Sequence, residues 1–252
     1  MIDFVERYIN KWISLILALA AVTTVIWFLS SPVFKVRSIS LMRDYGSPPP
    51  LIDELELAEQ LSWTHGESIF RLGTKALAAQ LEAEPSVRSA AVETQLDGAL
   101  RIWITHRRPV ANWQVGKKTY LVDETARLLA EGQDPKLSLT VRDLETSNVK
   151  VGDQVNLTAL KAAYSLQANL PLLALQPLHI THSGAAGITV ATMNGVEILF
   201  GPPENLEAKL VSLKAVLDDA ARQGIRIRSV DLRPVERPTY KAFEDNASVL
   251  KS

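Results

Sequence analysis

The chain of 252 residues contains no cysteine. A disulfide framework is therefore excluded, and so is a metal site built on thiolate ligands. The absence is compatible with an oxidising and with a reducing compartment, so it does not indicate on which side of a membrane the protein folds.

The sequence also lacks an excess of charge of one sign. It has 27 Lys and Arg against 28 Asp and Glu, a formal net charge of −1, and no basic block along its length. Proteins that bind nucleic acids carry a basic patch or stripe that neutralises phosphates. We therefore predict no nucleic acid among the partners.

Motifs typical of catalysis are scarce. His179 and His182 are three residues apart, which in a strand places them on opposite faces, and no H-E-x-x-H accompanies them. The glycine-containing segment 183–187 has the spacing of neither a P-loop nor a nucleophile elbow. We predict that the protein is not an enzyme and has no catalytic residues, metal site, cofactor or small-molecule substrate.

A long apolar run dominates the N-terminus instead. From Trp12 to Phe34 there are 23 residues without one ionisable side chain. As a helix rising about 1.5 Å per residue, such a run is long enough to cross a hydrocarbon core about 30 Å thick. We predict a permanent single-span anchor over residues 12–33. A cleaved signal peptide is the alternative, but its apolar region is shorter and preceded by a net basic segment.

The charges beside the run do not fix its orientation. Arg7 and Lys11 precede it, and Lys35, Arg37 and Arg43 follow it closely. Because basic residues flank both ends, the positive-inside bias chooses no side.

Residues 34–108 predict a small α+β domain of order β-α-α-β-β. The apolar positions of the first strand change parity midway, which suggests a β-bulge. Asp97-Gly98 is typical of a two-residue hairpin turn between the last two strands. The predicted elements are a strand over 34–41, helices over 52–61 and 74–84, and strands over 87–95 and 99–106.

Residues 109–235 predict a β-rich domain covered by two helices, with Arg108-Pro109 as the hinge before it. Gly224 follows the second helix in the position that favours a left-handed C-cap. The predicted strands are 119–122, 127–130, 187–191, 196–200 and 228–233, and the helices are 158–169 and 203–223. After this domain, 236–252 is predicted to be a flexible tail.

A colinear set of short motifs resembles one protein family. Residues 81–92 fit the pattern L-x-x-x-P-x-V-x-x-A-x-V, and 107–113 end in R-P-V-A-x-W. Further matches lie at 120–123, 195–201 and 230–233. Together with the apolar run, they make the chain similar to the bacterial cell-division proteins FtsQ and DivIB over residues 12–235.

This resemblance implies an architecture and a location. The expected fold is a single transmembrane helix, a POTRA-like β-α-α-β-β domain and an FtsQ/DivIB-type β domain. The N-terminal residues 1–11 would be a cytoplasmic tail, and the folded region would lie outside the cytoplasmic membrane, at the division septum. The resemblance thus settles the orientation that the flanking charges leave open.

The resemblance also implies partners and a function. Family members recruit and hold the bitopic coiled-coil division proteins FtsB/DivIC and FtsL, and so help to control septal peptidoglycan synthesis. A strand at a sheet edge can receive a partner segment by β-augmentation. The candidate partner-binding residues are Ser229, Val230, Asp231, Leu232, Arg233 and Tyr240.

Two other functions are weighed against a division scaffold. A POTRA-containing chaperone or secretion-assembly factor would share the first domain, and a membrane-anchored hydrolase would share the anchor. The hydrolase would need a convergent polar pocket that the sequence does not indicate.

Overall fold

The apolar run forms a helix whose bounds differ from the predicted ones. The computed structural model describes residues 2–29, 31–43, 46–51 and 53–243, and helix α1 spans Ile2–Leu29. The predicted tail over 1–11 is therefore largely helical, and the predicted end at residue 33 is too late. A 3₁₀ turn over Pro32–Phe34 follows, because proline has no N–H with which to extend the α-helical ladder.

Helix α1 is long and apolar enough to cross a membrane. Its most apolar stretch, Trp12–Leu29, has 18 residues and a mean hydropathy of 2.3, and none of it is buried within the protein. At about 1.5 Å per residue it is roughly 27 Å long, close to the thickness of a bilayer's hydrocarbon core.

The chain divides into two compact units, Met1–Arg107, which includes α1, and Arg108–Ser252. The first unit confirms the predicted β-α-α-β-β order. Its elements are β1 (Ser38–Arg43), α2 (Glu54–Gln60), α3 (Thr74–Glu82), β2 (Val87–Thr94) and β3 (Ala99–His106).

The three strands form a sheet of order β1-β3-β2, with β1 parallel to β3 and the predicted hairpin joining β2 to β3. Two helices pack their apolar stripes on one face of this sheet. The buried core comprises Leu57, Leu61, Leu77 and Leu81 from the helical side and Leu100, Ile102 and Ile104 from β3.

The predicted bulge in the first strand is wrong. Strand β1 begins only at Ser38 and pairs with β3 without a register shift. The preceding residues belong to a separate segment, in which Lys35 bridges to Ser68 and Val36 is buried. The change of parity therefore marks the boundary between two extended segments.

Within its described residues, 108–243, the second unit contains one nine-stranded sheet and two α-helices. Its strand order is β12-β11-β10-β9-β8-β7-β4-β5-β6. The strands are β4 (Pro109–Val115), β5 (Lys118–Asp123), β6 (Leu128–Glu131), β7 (Thr140–Asp143), β8 (Pro177–Ser183), β9 (Gly187–Thr192), β10 (Glu197–Gly201), β11 (Ile227–Asp231) and β12 (Thr239–Ala242); the helices are α4 (Leu157–Asn169) and α5 (Leu206–Gln223).

Both helices contribute to the same core as the sheet. Leu166 of α4 and Leu213 of α5 are completely buried, as are Trp113 and Phe200 on the strands. Gly224 ends α5 in the left-handed conformation, as predicted. The mixed α+β fold expected from the sequence is thus confirmed.

Candidate partner-binding edge of the second unit

The strand predicted to be the free edge lies inside the sheet. Strand β11 pairs in parallel with β10 on one side and antiparallel with β12 on the other. The chain turns after β11, with the Arg237 N–H donating to the carbonyl of Pro234, and residues 239–242 return along it. The expectation that 229–233 presents unpaired main-chain groups is therefore wrong, because the segment predicted to be a flexible tail covers it.

The predicted site residues on and after β11 separate into two groups. Val230 and Leu232 are completely buried in the core, so neither side chain can reach a partner. Ser229 and Asp231 are half-buried, and Arg233 is exposed. The alternation follows from the strand, whose successive side chains point to opposite faces.

Arg233 is held in place by Asp231. Its guanidinium donates two hydrogen bonds, one from Nε to Asp231 Oδ1 at 2.9 Å and one from Nη2 to Asp231 Oδ2 at 2.5 Å. These hydrogen bonds lower the pKa of Asp231. The aliphatic stem of Arg233 lies over Gly201, where a Cβ would come within 2.8 Å of Arg233 Cγ. A bidentate pair of this kind fixes the orientation of the guanidinium at the surface.

Tyr240 is the predicted residue that lies on the actual edge strand. It pairs with Val230 across the β11–β12 ladder and packs against the core cluster while remaining partly exposed. Just beyond the strand, the Phe243 ring lies 5.4 Å from the guanidinium carbon of Arg226. The structure therefore brings Ser229, Val230 and Asp231 together with Tyr240 on adjacent strands.

The sides to which the N–H and C=O groups of β12 point follow from the pairing of the neighbouring strands. The Leu232 N–H donates to the carbonyl of Leu199 in β10 at 2.8 Å. Main-chain groups of alternate residues point to opposite sides of a strand, so Ser229 and Asp231 face β12. Their partners Lys241 and Thr239 therefore face β11.

Tyr240 and Ala242 consequently direct their N–H and C=O groups away from the sheet. Within the described residues no strand pairs with this side of β12. Two outward N–H groups and two outward C=O groups thus form a short template for an added strand. We call residues 239–242, with this outward side, the β12 edge.

Helix α5 supports this end of the sheet from behind. Lys209 in its first part is 97 % buried and donates from Nζ to the carbonyl of Pro202 at 2.5 Å. Burial lowers the pKa of Lys209. The hydrogen bond joins the start of α5 to the residue that follows β10 and so fixes the position of the helix relative to the strand.

The two histidines singled out in the sequence lie on opposite faces of β8, as expected. His182 is buried, and its ring nitrogens lie 3.4 Å from Asp143 Oδ1 and 3.5 Å from Glu145 Oε2. Asp143 in turn accepts hydrogen bonds from the Trp113 indole and the Thr146 hydroxyl. This network joins β4, β7 and β8 in the middle of the sheet, away from the β12 edge. The sequence does not predict this network, because nothing in the local pattern shows that these strands are neighbours.

Comparisons with known proteins agree with the fold. Residues 111–233 match the family model "Cell division protein FtsQ/DivIB, C-terminal". Proteins named cell division protein FtsQ from Chloroflexus aurantiacus and Chloroflexus aggregans are 28 % and 29 % identical to the chain, each over 88 % of this chain and 79 % of the relative. A protein of the same name from Mycobacteroides abscessus is 26 % identical over 76 % of this chain and 58 % of its own. The family match ends at Arg233, before β12.

Proposed function

Because this chain belongs to the FtsQ/DivIB family of cell-division proteins, we propose that it is a bitopic scaffold of the division machinery. In this proposal α1 crosses the cytoplasmic membrane with its N-terminus inside. The part of the first unit that follows α1 acts as a POTRA-like domain, and this domain and the second unit lie outside the membrane at the septum. The scaffold binds and recruits membrane proteins of the FtsB/DivIC and FtsL type, and thereby helps to control septal peptidoglycan synthesis without being an enzyme itself.

The observation that supports partner binding most directly is the outward side of the β12 edge. A partner segment in extended conformation can add there through the main-chain groups of Tyr240 and Ala242. The exposed side chains of Thr239 and Lys241 and the half-exposed ring of Tyr240 would then contact the partner's side chains. Since Val230 and Leu232 are buried, their contribution to binding is to position β11 beneath this edge.

A second feature makes this end of the sheet suitable for a stable interaction. The ion pair of Asp231 and Arg233 and the buried Lys209 fix the loops next to the β12 edge. A preorganised surface loses less conformational entropy on binding than a mobile one. The proposed site therefore consists of the β12 edge, which includes Tyr240, together with Ser229, Asp231 and Arg233 beside it.

The division role is tested by localisation and depletion. A fluorescent fusion of the full chain should form a band at mid-cell, and depletion should produce filaments or chains of cells. Uniform peripheral fluorescence together with normal division on depletion would contradict the role.

The binding site is tested by site-specific photo-crosslinking in cells. A photoreactive residue in place of Lys241, at the β12 edge, should crosslink to a small single-span division protein. The matched control is a photoreactive residue in place of Glu131, an exposed position on β6 at the opposite edge of the same sheet. Equal crosslinking of that partner from both positions, or from Glu131 alone, would refute the assignment to β12.

A further inference from the structure

Exposed apolar residues collect at the end of the first unit where α1 enters it. Phe70 is 51 % exposed, Val33 is 52 % exposed and Leu96, on the β2–β3 turn, is 71 % exposed. With the partly buried Phe34 they form what we call the apolar rim. Apolar side chains scattered singly over a surface need no explanation, but a group beside a membrane-spanning helix does.

Ring contacts join the rim to α1. The Phe28 ring, in the last turn of the helix, lies 5.1 Å from the Phe34 ring in an edge-on arrangement. The Phe34 ring lies 5.2 Å from the Phe70 ring. The aromatic surface therefore continues without interruption from the apolar helix onto the folded unit.

Main-chain hydrogen bonds hold the loops of the rim together. The Ile69 N–H donates to the carbonyl of Phe34 at 2.9 Å, and the Arg37 N–H donates to the carbonyl of Gly98 at 2.8 Å. Gly98 has φ of +85°, and a Cβ there would come within 2.5 Å of the Lys35 carbonyl oxygen. The turn that carries Leu96 is thus packed tightly against the segment that leaves α1.

Basic side chains surround the rim. Lys35, Arg37 and Arg71 are all exposed, and Arg37 Nη2 donates to the carbonyl of Pro32 at 3.3 Å. An open groove of about 540 Å³ beside the end of α1 is lined by Ile26 and Leu29 of the helix and by Lys35, Phe70 and Arg71 of the folded unit. Glu67 is an acidic residue of the same groove. The lining thus combines apolar side chains with two basic ones, a mixture that suits a lipid acyl chain and its phosphate.

We propose that the apolar rim is seated in the headgroup region of the bilayer that holds α1. Phe70 and Leu96 enter the interface, and Lys35, Arg37 and Arg71 contact lipid phosphates. The occupant is lipid because the rim is continuous with the apolar surface of α1, whose helix ends at Leu29, only nine residues before β1 begins. Aromatic rings and basic side chains are the groups that favour this depth. The inference rests on the proposed membrane anchoring by α1.

With the rim in the headgroup region, the orientation of the first unit's sheet relative to the membrane would be fixed. Strand β1 runs from Ser38, beside the rim, to Arg43 at the far end, so the sheet would stand on the membrane by the N-terminal end of β1.

The absence of cysteine provides a direct test, because a single introduced cysteine is the only labelling position. The full chain carrying Leu96→Cys with a nitroxide label is placed in lipid nanodiscs, without any division protein. Met42→Cys, on the part of β1 far from the rim, is the matched control, and Leu19→Cys, in the middle of the apolar helix, reports on anchoring. Collision rates with oxygen, which enters the bilayer, and with a polar nickel complex, which does not, are measured.

We expect the label at residue 96 to be several-fold less accessible to the nickel complex than the label at residue 42. Phe70→Asp in the Leu96→Cys background should abolish that protection, whereas Leu55→Asp, at an exposed apolar position near the start of α2, should leave it unchanged. Lys35→Gln with Arg71→Gln should weaken the protection in nanodiscs with anionic lipid.

Equal accessibility at residues 96 and 42, with residue 19 still protected, would overturn the seated rim and leave the anchor intact. Access of the nickel complex to residue 19 would overturn both. Protection of residue 96 that appears only in native membranes would also overturn the proposal, since the occupant would then be a protein.

Discussion

Proline substitutions at neighbouring positions of β12 test the two sides of this strand separately. Ala242→Pro removes an N–H that points away from the sheet, and its ring occupies the space where a partner carbonyl would accept. Lys241→Pro, one residue earlier, removes an N–H that pairs with β11. Proline is tolerated on an edge strand when the missing donor faces solvent. Ala242→Pro should therefore leave the fold intact and damage only the binding surface.

The expected loss follows from the number of groups affected. Losing a hydrogen bond costs about 0.5–1.5 kcal/mol net, and the cost is about 1–3 kcal/mol where the partner's carbonyl is left both buried and unpaired, as it would be beneath the proline ring. We therefore expect Ala242→Pro to weaken partner binding by about 1–3 kcal/mol, or roughly 5- to 150-fold in Kd.

The assay is a titration of the full chain in nanodiscs with the partner segment identified by crosslinking, alongside thermal melting. Ala242→Pro should raise Kd at an unchanged melting temperature. Lys241→Pro should lower the melting temperature, because it loosens β12 and the packing of Tyr240. An unchanged Kd for a folded Ala242→Pro variant would refute augmentation at this edge.

Two further predictions concern the core of the second unit. Burial alone would raise the pKa of Asp143, but hydrogen bonds from Thr146, Glu145 and Trp113 outweigh it and lower the pKa below the ordinary value of 3.8. The stability that Asp143 contributes is thus present above that value and lost as pH falls through the lower folded pKa. In thermal melts, Asp143→Asn should lower the free energy of unfolding by about 1.5–3 kcal/mol at pH 7 and by clearly less near pH 2. A difference between the two proteins that does not change with pH would contradict this. Gly187→Ala should cost about 2–4 kcal/mol, since its φ is +68° and a Cβ would come within 2.1 Å of the Gly201 carbonyl carbon. Gly116→Ala, at φ of +59° with no atom within 4 Å, is the matched control and should cost only about 1 kcal/mol, so equal melting temperatures would disprove the steric argument.

Local patterns predicted the elements whose periodicity is strong and whose partners are close in sequence. The hairpin at Asp97-Gly98 and the helix α5, with its glycine C-cap, are of this kind. The pattern indicates only a hinge at Arg108-Pro109 and does not predict β4, the strand that begins there. The four-residue β7 was missed because it lies between two parallel strands, β4 and β8, that are distant in sequence.

The candidate site shows the same limit. The sequence identifies 228–233 as a strand but not which strand covers it. That depends on 239–242, where the segment T-Y-K-A follows a proline-containing turn and, at four residues, is too short for its alternation of polar and apolar side chains to predict a strand. The segment is a strand because it pairs with β11, and this pairing is not visible in the local sequence. The aromatic side chain of Tyr240 makes it a candidate from the sequence alone. The outward direction of the Ala242 N–H and C=O groups, in contrast, follows only from the β11–β12 register.

The strand order also determines how the second unit would carry mechanical load. The chain enters this unit at β4, and the β12 edge lies at the far side of β7, β8, β9, β10 and β11. A pull between the anchor and a bound partner would load these ladders one after another, so the weakest of them would set the lifetime of the connection. Two parallel ladders on this path span only three residue pairs each: β7–β8, from Val141 with Ile180 to Asp143 with His182, and β10–β11, from Glu197 with Ser229 to Leu199 with Asp231. Under tension these two ladders are expected to open first. The contact between Asp143 and His182 resists opening of the β7–β8 ladder, and the packing of Leu232 and the Arg233 stem resists opening of the β10–β11 ladder.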